Sequence, residues 1–507
     1  KNFSLECKKK SGEMEFKLMT PPFLFVVLFI LAFDRLTKRG VSLGHLVLSG
    51  LTFVAPPSKQ VVATLKPDLS GETNLTSNKR KKMTKGKKDE MPLVFERVRG
   101  NRFVGVPFFS TFDNVMSLGF IVVVSFFFGE VWCCVFGARH HSQEAWVVFA
   151  AVNYLCVAQS AAVVHAGWCS DKVKSALIAG VVAFSLTLGI LVKLPAHVLP
   201  RNFEAAWEVF KDDFNAEMAH LGVEWRLGGS VMGVYFALAA LGGWCGYLFF
   251  WPALRFAQLH NYVLAAGDVN DFSTGGRATS RPFTAWTASN FTKFLVHLNS
   301  VSPLLVAVLW FPAVTDIFRN SKTGINVLSD EGWVVFRVST ALMAAFLRLL
   351  LLRHFIQGYF HSTWINLRKL LSEGINQTTA TACKRLLSRV LEVAPLVALE
   401  SVVPSLLLLL TSLLYKRNCD LRWGVCSALD FPGSPVVPAA DKNATATSTA
   451  AGRYSISMDF VLHPLSRESL SFLVWLLHLL WFLWGMLGLL YVRKTQSMVS
   501  LVNKKKS

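Results

Sequence analysis

The chain has 507 residues, of which 52% are hydrophobic, 12% aromatic and only 17% charged. Its apolar residues recur in runs of about 20, the length at which a helix crosses ~30 Å of hydrocarbon, so the composition excludes a disordered chain and an ordinary water-soluble core. The formal charge of +20 invites a nucleic-acid reading, but the lysines and arginines lie mainly between the apolar runs, where they orient spans in a bilayer, so nucleic acid is not among the expected partners and the lipid bilayer is.

Residues 1–18 are polar and basic and form an N-terminal extension, with Met14 or Met19 as the natural start. Residues 19–33 are apolar, no small-x-small site precedes Asp34, and the run predicts an uncleaved signal-anchor helix. The basic string after it holds its carboxyl side in the cytoplasm. Residues 34–114 then predict a basic, partly disordered loop whose lysine run, Asn78 to Lys88, is either simply solvated or drawn to anionic headgroups. Within it Gly40-Val41-Ser42-Leu43-Gly44 matches G-x-S-x-G. A nucleophile elbow needs a strand before the serine and a helix after it, and here an apolar span precedes, so the match carries no catalytic expectation.

The helical membrane domain is predicted over residues 115–492. Spans are expected at Val115–Ala138, Ala145–His165, Ser175–Val192, Gly229–Phe250, Phe294–Val314, Trp333–Leu352, Val390–Tyr415 and Leu470–Val492. With the signal anchor they total nine, and the fold class is all-α, a polytopic helical membrane protein with added interfacial helices. Arg201 to Leu221 mixes aromatics with charges and predicts one such amphipathic helix. The Gly229-x-x-x-Gly233 and Gly242-x-x-x-Gly246 spacings predict close helix contacts without implying a specific dimer.

Nine spans put the termini on opposite sides, with the first loop and the basic tail, residues 493–507, cytoplasmic. The Pro/Ala/Ser/Thr-rich loop 416–467 is then exoplasmic. It contains the sequon at Asn443, which is either a glycosylation site or a chance match like those at Asn2, Asn74, Asn290 and Asn376. It also contains Cys419 and Cys426, close enough in sequence to form a disulfide in that compartment. The nine cysteines include no C-x-x-C pair. Single histidines at His165, His297 and His478, and the pair His354 and His361, fall short of a metal-ligand set, and no cofactor or metal is expected.

Arg337 and Arg348 lie within one apolar run, eleven residues apart, on one helix face. That face should look into a bundle or a wet cavity, because a lipid-facing arginine costs at least ~2.5 kcal/mol at mid-depth. In the next, antiparallel span, Glu392 lies at a depth similar to Arg348 and Glu400 within roughly one turn of Arg337, so two buried pairs are geometrically possible. Three readings stay open: register-fixing pairs, a polar path for an ion or small solute, and snorkelling of Arg348 and Glu392. Glu130, in an earlier span, has no obvious partner in the sequence.

Four blocks, WPALRFAQLH from Trp251, HLNSVSPLLVAVLW from His297, FRVSTALMAAFLRLLLLRHFIQGYF from Phe336 and SRVLEVAPLVALESVVPSLLLLL from Ser388, resemble the transmembrane protein 161 family. Their order and spacing match, as does the lysine-rich first loop. Arg337 and Arg348 match the family's block, whereas Glu392 and Glu400 depart from it. The resemblance implies a non-enzymatic multipass protein of the plasma membrane or endomembranes, of regulatory or structural type. It also implies links to membrane excitability, cation currents and stress tolerance, with other membrane proteins such as ion channels as partners. The alternative, from the residues alone, is a transporter or channel that uses the intramembrane Arg/Glu set.

Overall fold

The structure, a computed structural model, describes residues 21–38, 42–55, 94–97, 103, 105–136, 143–165, 170–194, 202–220, 222–265, 288–319, 330–372, 380–419 and 463–506. The helices are α1 (Pro21–Lys38), α2 (Leu43–Leu48), α3 (Phe109–Phe136), α4 (Gln143–Val164), α5 (Asp171–Lys193), α6 (Phe203–His220) and α7 (Met232–Ala265). They continue as α8 (Asn290–Leu309), α9 (Pro312–Arg319), α10 (Asp330–Ser372), α11 (Ala380–Asn418) and α12 (Pro464–Lys506). Two short strands, β1 (Thr52–Ala55) and β2 (Val94–Arg97), pair antiparallel with Thr52 opposite Arg97 and Ala55 opposite Val94.

Among the described residues eight helices are long and apolar enough to cross a membrane: α3, α4, α5, α7, α8, α10, α11 and α12. The ninth predicted span, the signal anchor, is not among these eight, and its residues 19 and 20 lie outside the described ones. The signal-anchor stretch does form a helix, α1, but Asp34, Arg35 and Lys38 fall in its last turns and dilute its apolar run. It lies along α3, with Phe25 and Phe29 each against Phe128, at ring-centroid distances of 5.7 and 5.6 Å.

The centre of the bundle is α11. Of its most apolar window 83% is buried, against 33–56% for the other seven spans, so it is surrounded by protein where they each keep a face for lipid. Its sequence makes every face compatible with that place. Leu406 to Leu410 form a continuous leucine run, and the interspersed hydroxyls satisfy themselves locally: Thr411 donates to the Leu407 carbonyl at 2.7 Å and Ser412 to that of Leu408 at 2.7 Å. Pro395 and Pro404 remove two backbone donors, which a bundle interior tolerates. The outer helices show the complementary pattern. Ile178 and Val181 on α5 and Met343 and Leu350 on α10 are each at least 66% exposed, a surface suited to acyl chains.

Small residues set the closest approach. A Cβ added to Gly246 of α7 would overlap the Cβ of Ala183 on α5, and one on Gly243 would stand 3.1 Å from the Gly180 carbonyl. The other predicted spacing is unused, since nothing lies within 4 Å of a Cβ at Gly229 or Gly233.

The predicted interfacial helix is α6. Its Phe203 is buried between Tyr235 and Phe472, while the Trp207 indole donates to the Gly229 carbonyl at 3.2 Å. Several boundaries run past the apolar runs that predicted them. The helix of α10 continues to Ser372, α11 passes through Lys416 and Arg417 into the segment predicted as loop, and α12 carries on through the predicted basic tail to Lys506. Polar residues sustain an established helix as well as apolar ones do, so hydropathy marks the span and not the helix end.

Inside the predicted basic loop, α2 is a single capped turn and a half. The Ser42 hydroxyl accepts from the His45 N–H at 3.2 Å, and Asp113 of α3 accepts from the Gly44 N–H at 2.8 Å. Ser42, the serine of the G-x-S-x-G match, is therefore an N-cap. The β1–β2 pair is a small departure from the all-α expectation. Gln357 of α10 holds it by acting as a strand edge: its amide accepts from the Thr52 N–H and donates to the Thr52 carbonyl, both at 3.0 Å.

Candidate functional site

The groups that demand explanation in a lipid-facing bundle are its interior charges, and they fall into four clusters on two levels: Arg348 packs against Phe256, the neighbour of Arg255, and Arg337 is within electrostatic range of Tyr415, the neighbour of Lys416. Consecutive spans alternate in direction, so α7, α10 and α12 run one way through the bundle and α3, α8 and α11 the other.

On one level, Arg255 of α7 donates from Nε to Glu400 Oε2 of α11 at 3.1 Å and from Nη1 to Gln258 at 3.4 Å. This corrects the expected pairing of Glu400 with Arg337. Depth alone left several cations available to Glu400, and it is α7, packed against α11, that brings one within reach. The other expected pair is also not formed. Glu392 is exposed near the start of the described part of α11, and Arg348 has a different partner.

Close to that pair, Arg348 is 5% exposed. Its Nε donates to Asn299 Oδ1 of α8 at 3.1 Å, and its guanidinium carbon sits 4.4 Å from the Trp481 ring centroid and 5.9 Å from that of Phe256. A planar cation between aromatic faces recovers part of its lost hydration through the ring quadrupoles. Beside it, His478 is fully buried with Nδ1 2.8 Å from the Val474 carbonyl, which makes Nδ1 the protonated nitrogen. Next to Asn299 on α8, Ser300 Oγ and His260 Nδ1 are 3.1 Å apart, and the His260 and His297 rings are 5.3 Å apart.

On the other level, Arg337 lies over Trp310 with its guanidinium carbon 5.1 Å from the ring centroid. The same indole donates to Ser471 of α12 at 3.2 Å. Glu468 and Tyr415 are within electrostatic range of Arg337, so α12 supplies the acid that α11 was expected to give.

The fourth cluster answers the question left by Glu130. Its Oε2 pairs with Lys416 Nζ and its Oε1 lies 3.9 Å from Arg417 Nη1, with all three side chains at most 6% exposed. Lys416 also lies over the Phe126 ring at 5.5 Å. The sequence placed both cations in a loop because the apolar run stops at Tyr415. The helix does not stop there, and the extra turn carries them back against α3.

Just past that helix end, burial pushes the Cys419 thiol above its ordinary value, against the opposing pull of Arg467. Its predicted partner Cys426, and the sequon at Asn443, lie outside the described residues.

Sequence reasoning missed Arg255, Asn299, Lys416, Arg417 and Glu468. Arg255 and Asn299 carried a usable signal, since both interrupt apolar stretches at the depth of a known charge. Among the described residues no group of three or more His, Cys, Asp and Glu could hold a metal ion. Chemically, the four clusters are fasteners between helix pairs: α7 to α11, α10 to α8 and α12, and α3 to α11.

In a comparison with known families, the model of one described as predicted transmembrane protein 161AB matches residues 22–496. No solved structure matches the chain.

Proposed function

Because the chain belongs to the transmembrane protein 161AB family, we propose that it is a non-enzymatic regulatory or structural protein of the plasma membrane or endomembranes, one that modulates neighbouring membrane proteins such as ion channels. A multispan helical membrane protein is the premise, and the finer role follows from how the interior is filled. The observation that carries it is the apolar layer between two levels of buried charge, Arg255–Glu400 with Arg348 on one and Arg337 with Glu130–Lys416 on the other. Between the Glu400 level and the Lys416 level of α11 lie the buried side chains Leu406 to Leu410, and α11 has protein on all sides. A conduction path needs polar groups that succeed one another through the hydrocarbon, as the alternative transporter reading requires. Fasteners on either side of such a layer instead support a body that is stiff inside and works through its outer surface.

The test has two arms on the full chain. In cells, voltage-gated cation currents should change amplitude when the protein is co-expressed or depleted, with no current of its own. In liposomes, the purified protein should add no solute flux or current above empty vesicles. A robust flux abolished by Arg337→Gln would overturn the proposal in favour of a transporter or channel.

A further inference from the structure

Between α2, α3, α10 and α11 runs a groove of about 320 Å³, lined by apolar side chains and by one charged residue, Arg353. We propose that this groove holds one acyl chain of an anionic phospholipid, with its phosphate beside Arg353.

The walls suit a hydrocarbon chain. Met116 and Leu406 are at the back, where Gly119 lets α3 and α11 close to contact: a Cβ there would stand 2.6 Å from Leu406 Cδ1. Leu46, Phe120 and Phe346 are 56%, 46% and 45% exposed, so the mouth opens sideways onto the surface that faces lipid. Its volume lies at the low end of the range for ligand pockets, about 300–1,000 Å³.

The headgroup end is set by Arg353. Its Nη2 donates to the Ser49 carbonyl at 3.2 Å, and it packs beside Gly50, whose φ of +74° lets the chain turn there without a side chain in the way. One hydrogen bond orients the fork and leaves the rest of it exposed. One turn further along α10, Gln357 binds the β1–β2 pair, so Arg353 stands where apolar wall gives way to polar structure. An acyl chain joined to a phosphate has that same change of character along its length.

The charge of the occupant follows from the chain that leaves and returns at this spot. Ala55 and Val94 are opposite each other in the strand pair, so residues 56–93 begin and end beside the groove's polar end. That segment holds nine lysines and arginines against four aspartates and glutamates. A tethered positive charge of this kind favours anionic over zwitterionic headgroups.

The test uses the full chain in detergent, titrated with phosphatidylglycerol, phosphatidylcholine of the same acyl chains, or inorganic phosphate, and read by native mass spectrometry and thermal unfolding. Phosphatidylglycerol should bind saturably and raise the Tm, with phosphatidylcholine clearly weaker. Arg353→Gln should weaken phosphatidylglycerol about tenfold, the loss of one charge-assisted contact. Leu46→Trp, at the exposed rim, should block the groove and weaken both lipids while leaving the lipid-free Tm in place. Equal binding of the two lipids, binding untouched by both variants, or an equal effect from inorganic phosphate would overturn the proposal.

Discussion

Arg255 of α7 and Glu400 of α11 meet at 3.1 Å with side chains 25% and 11% exposed, in a helix pair that the sequence places 145 residues apart. Removing the acid should leave a cation stranded at the bundle centre. Glu400→Ala is expected to cost about 3–5 kcal/mol, the usual penalty for breaking a buried pair on one side only. Replacing both residues by leucine should cost less than Glu400→Ala alone. Thermal or denaturant unfolding in detergent measures this, and an undisturbed Glu400→Ala would sink it.

The Glu130–Lys416 pair predicts the same asymmetry at the other end of α11. Glu130→Leu should be more harmful than the double change Glu130→Leu with Lys416→Met, because the single change leaves a buried ammonium beside Arg417. A double-mutant cycle should return a coupling of about 1–3 kcal/mol, and additivity of the two changes would contradict the pairing.

At the α5–α7 contact, Gly246→Leu drives a side chain into Ala183. The expected loss is at least about 1–3 kcal/mol, as for other overpacked interiors, with part of it recovered by adding Ala183→Gly. Gly233→Leu is the matched control and should be near neutral, since a Cβ there meets nothing within 4 Å.

Arg348→Lys keeps the charge and loses both the planar contact with Trp481 and the Nε donor to Asn299. The change should lower stability by about 2 kcal/mol although it is formally conservative. A Tm equal to that of the unmodified protein would show that charge alone is what the site requires.

If the segment between α11 and α12 is exoplasmic, Asn443 is available to oligosaccharyl transfer. Glycosidase treatment of the protein from cells should then increase its gel mobility, and Asn443→Gln should remove that response. A cytoplasmic segment would show no shift in either form.

Much of the fold was written in hydropathy, because a bilayer asks one simple thing of a span, that about 20 residues be apolar. The inward turn of Arg337 and Arg348 was equally legible, since eleven residues bring a helix back to the same side. Their neighbours were not. The helices α10 and α11 do pack together, as their adjacency in sequence suggests, but Glu392 is exposed and Arg348 turns instead to Asn299 of α8 and Trp481 of α12. Depth can be counted along one chain, but lateral order among spans depends on side-chain shape, such as the Gly246–Ala183 contact that seats α7 on α5. Lys416 and Arg417 escaped for a different reason: helix ends obey capping and hydrogen bonding, which hydropathy does not register.

The hairpin pinned by Gln357 closes residues 56–93 into a ring of chain whose two feet are fixed a strand spacing apart. Lengthening such a ring is cheap, about 0.6 kcal/mol for each doubling. A fluorescent protein or an epitope grafted into its middle would thus ride on the finished bundle without tugging at it, and would report from the side where the basic loop resides.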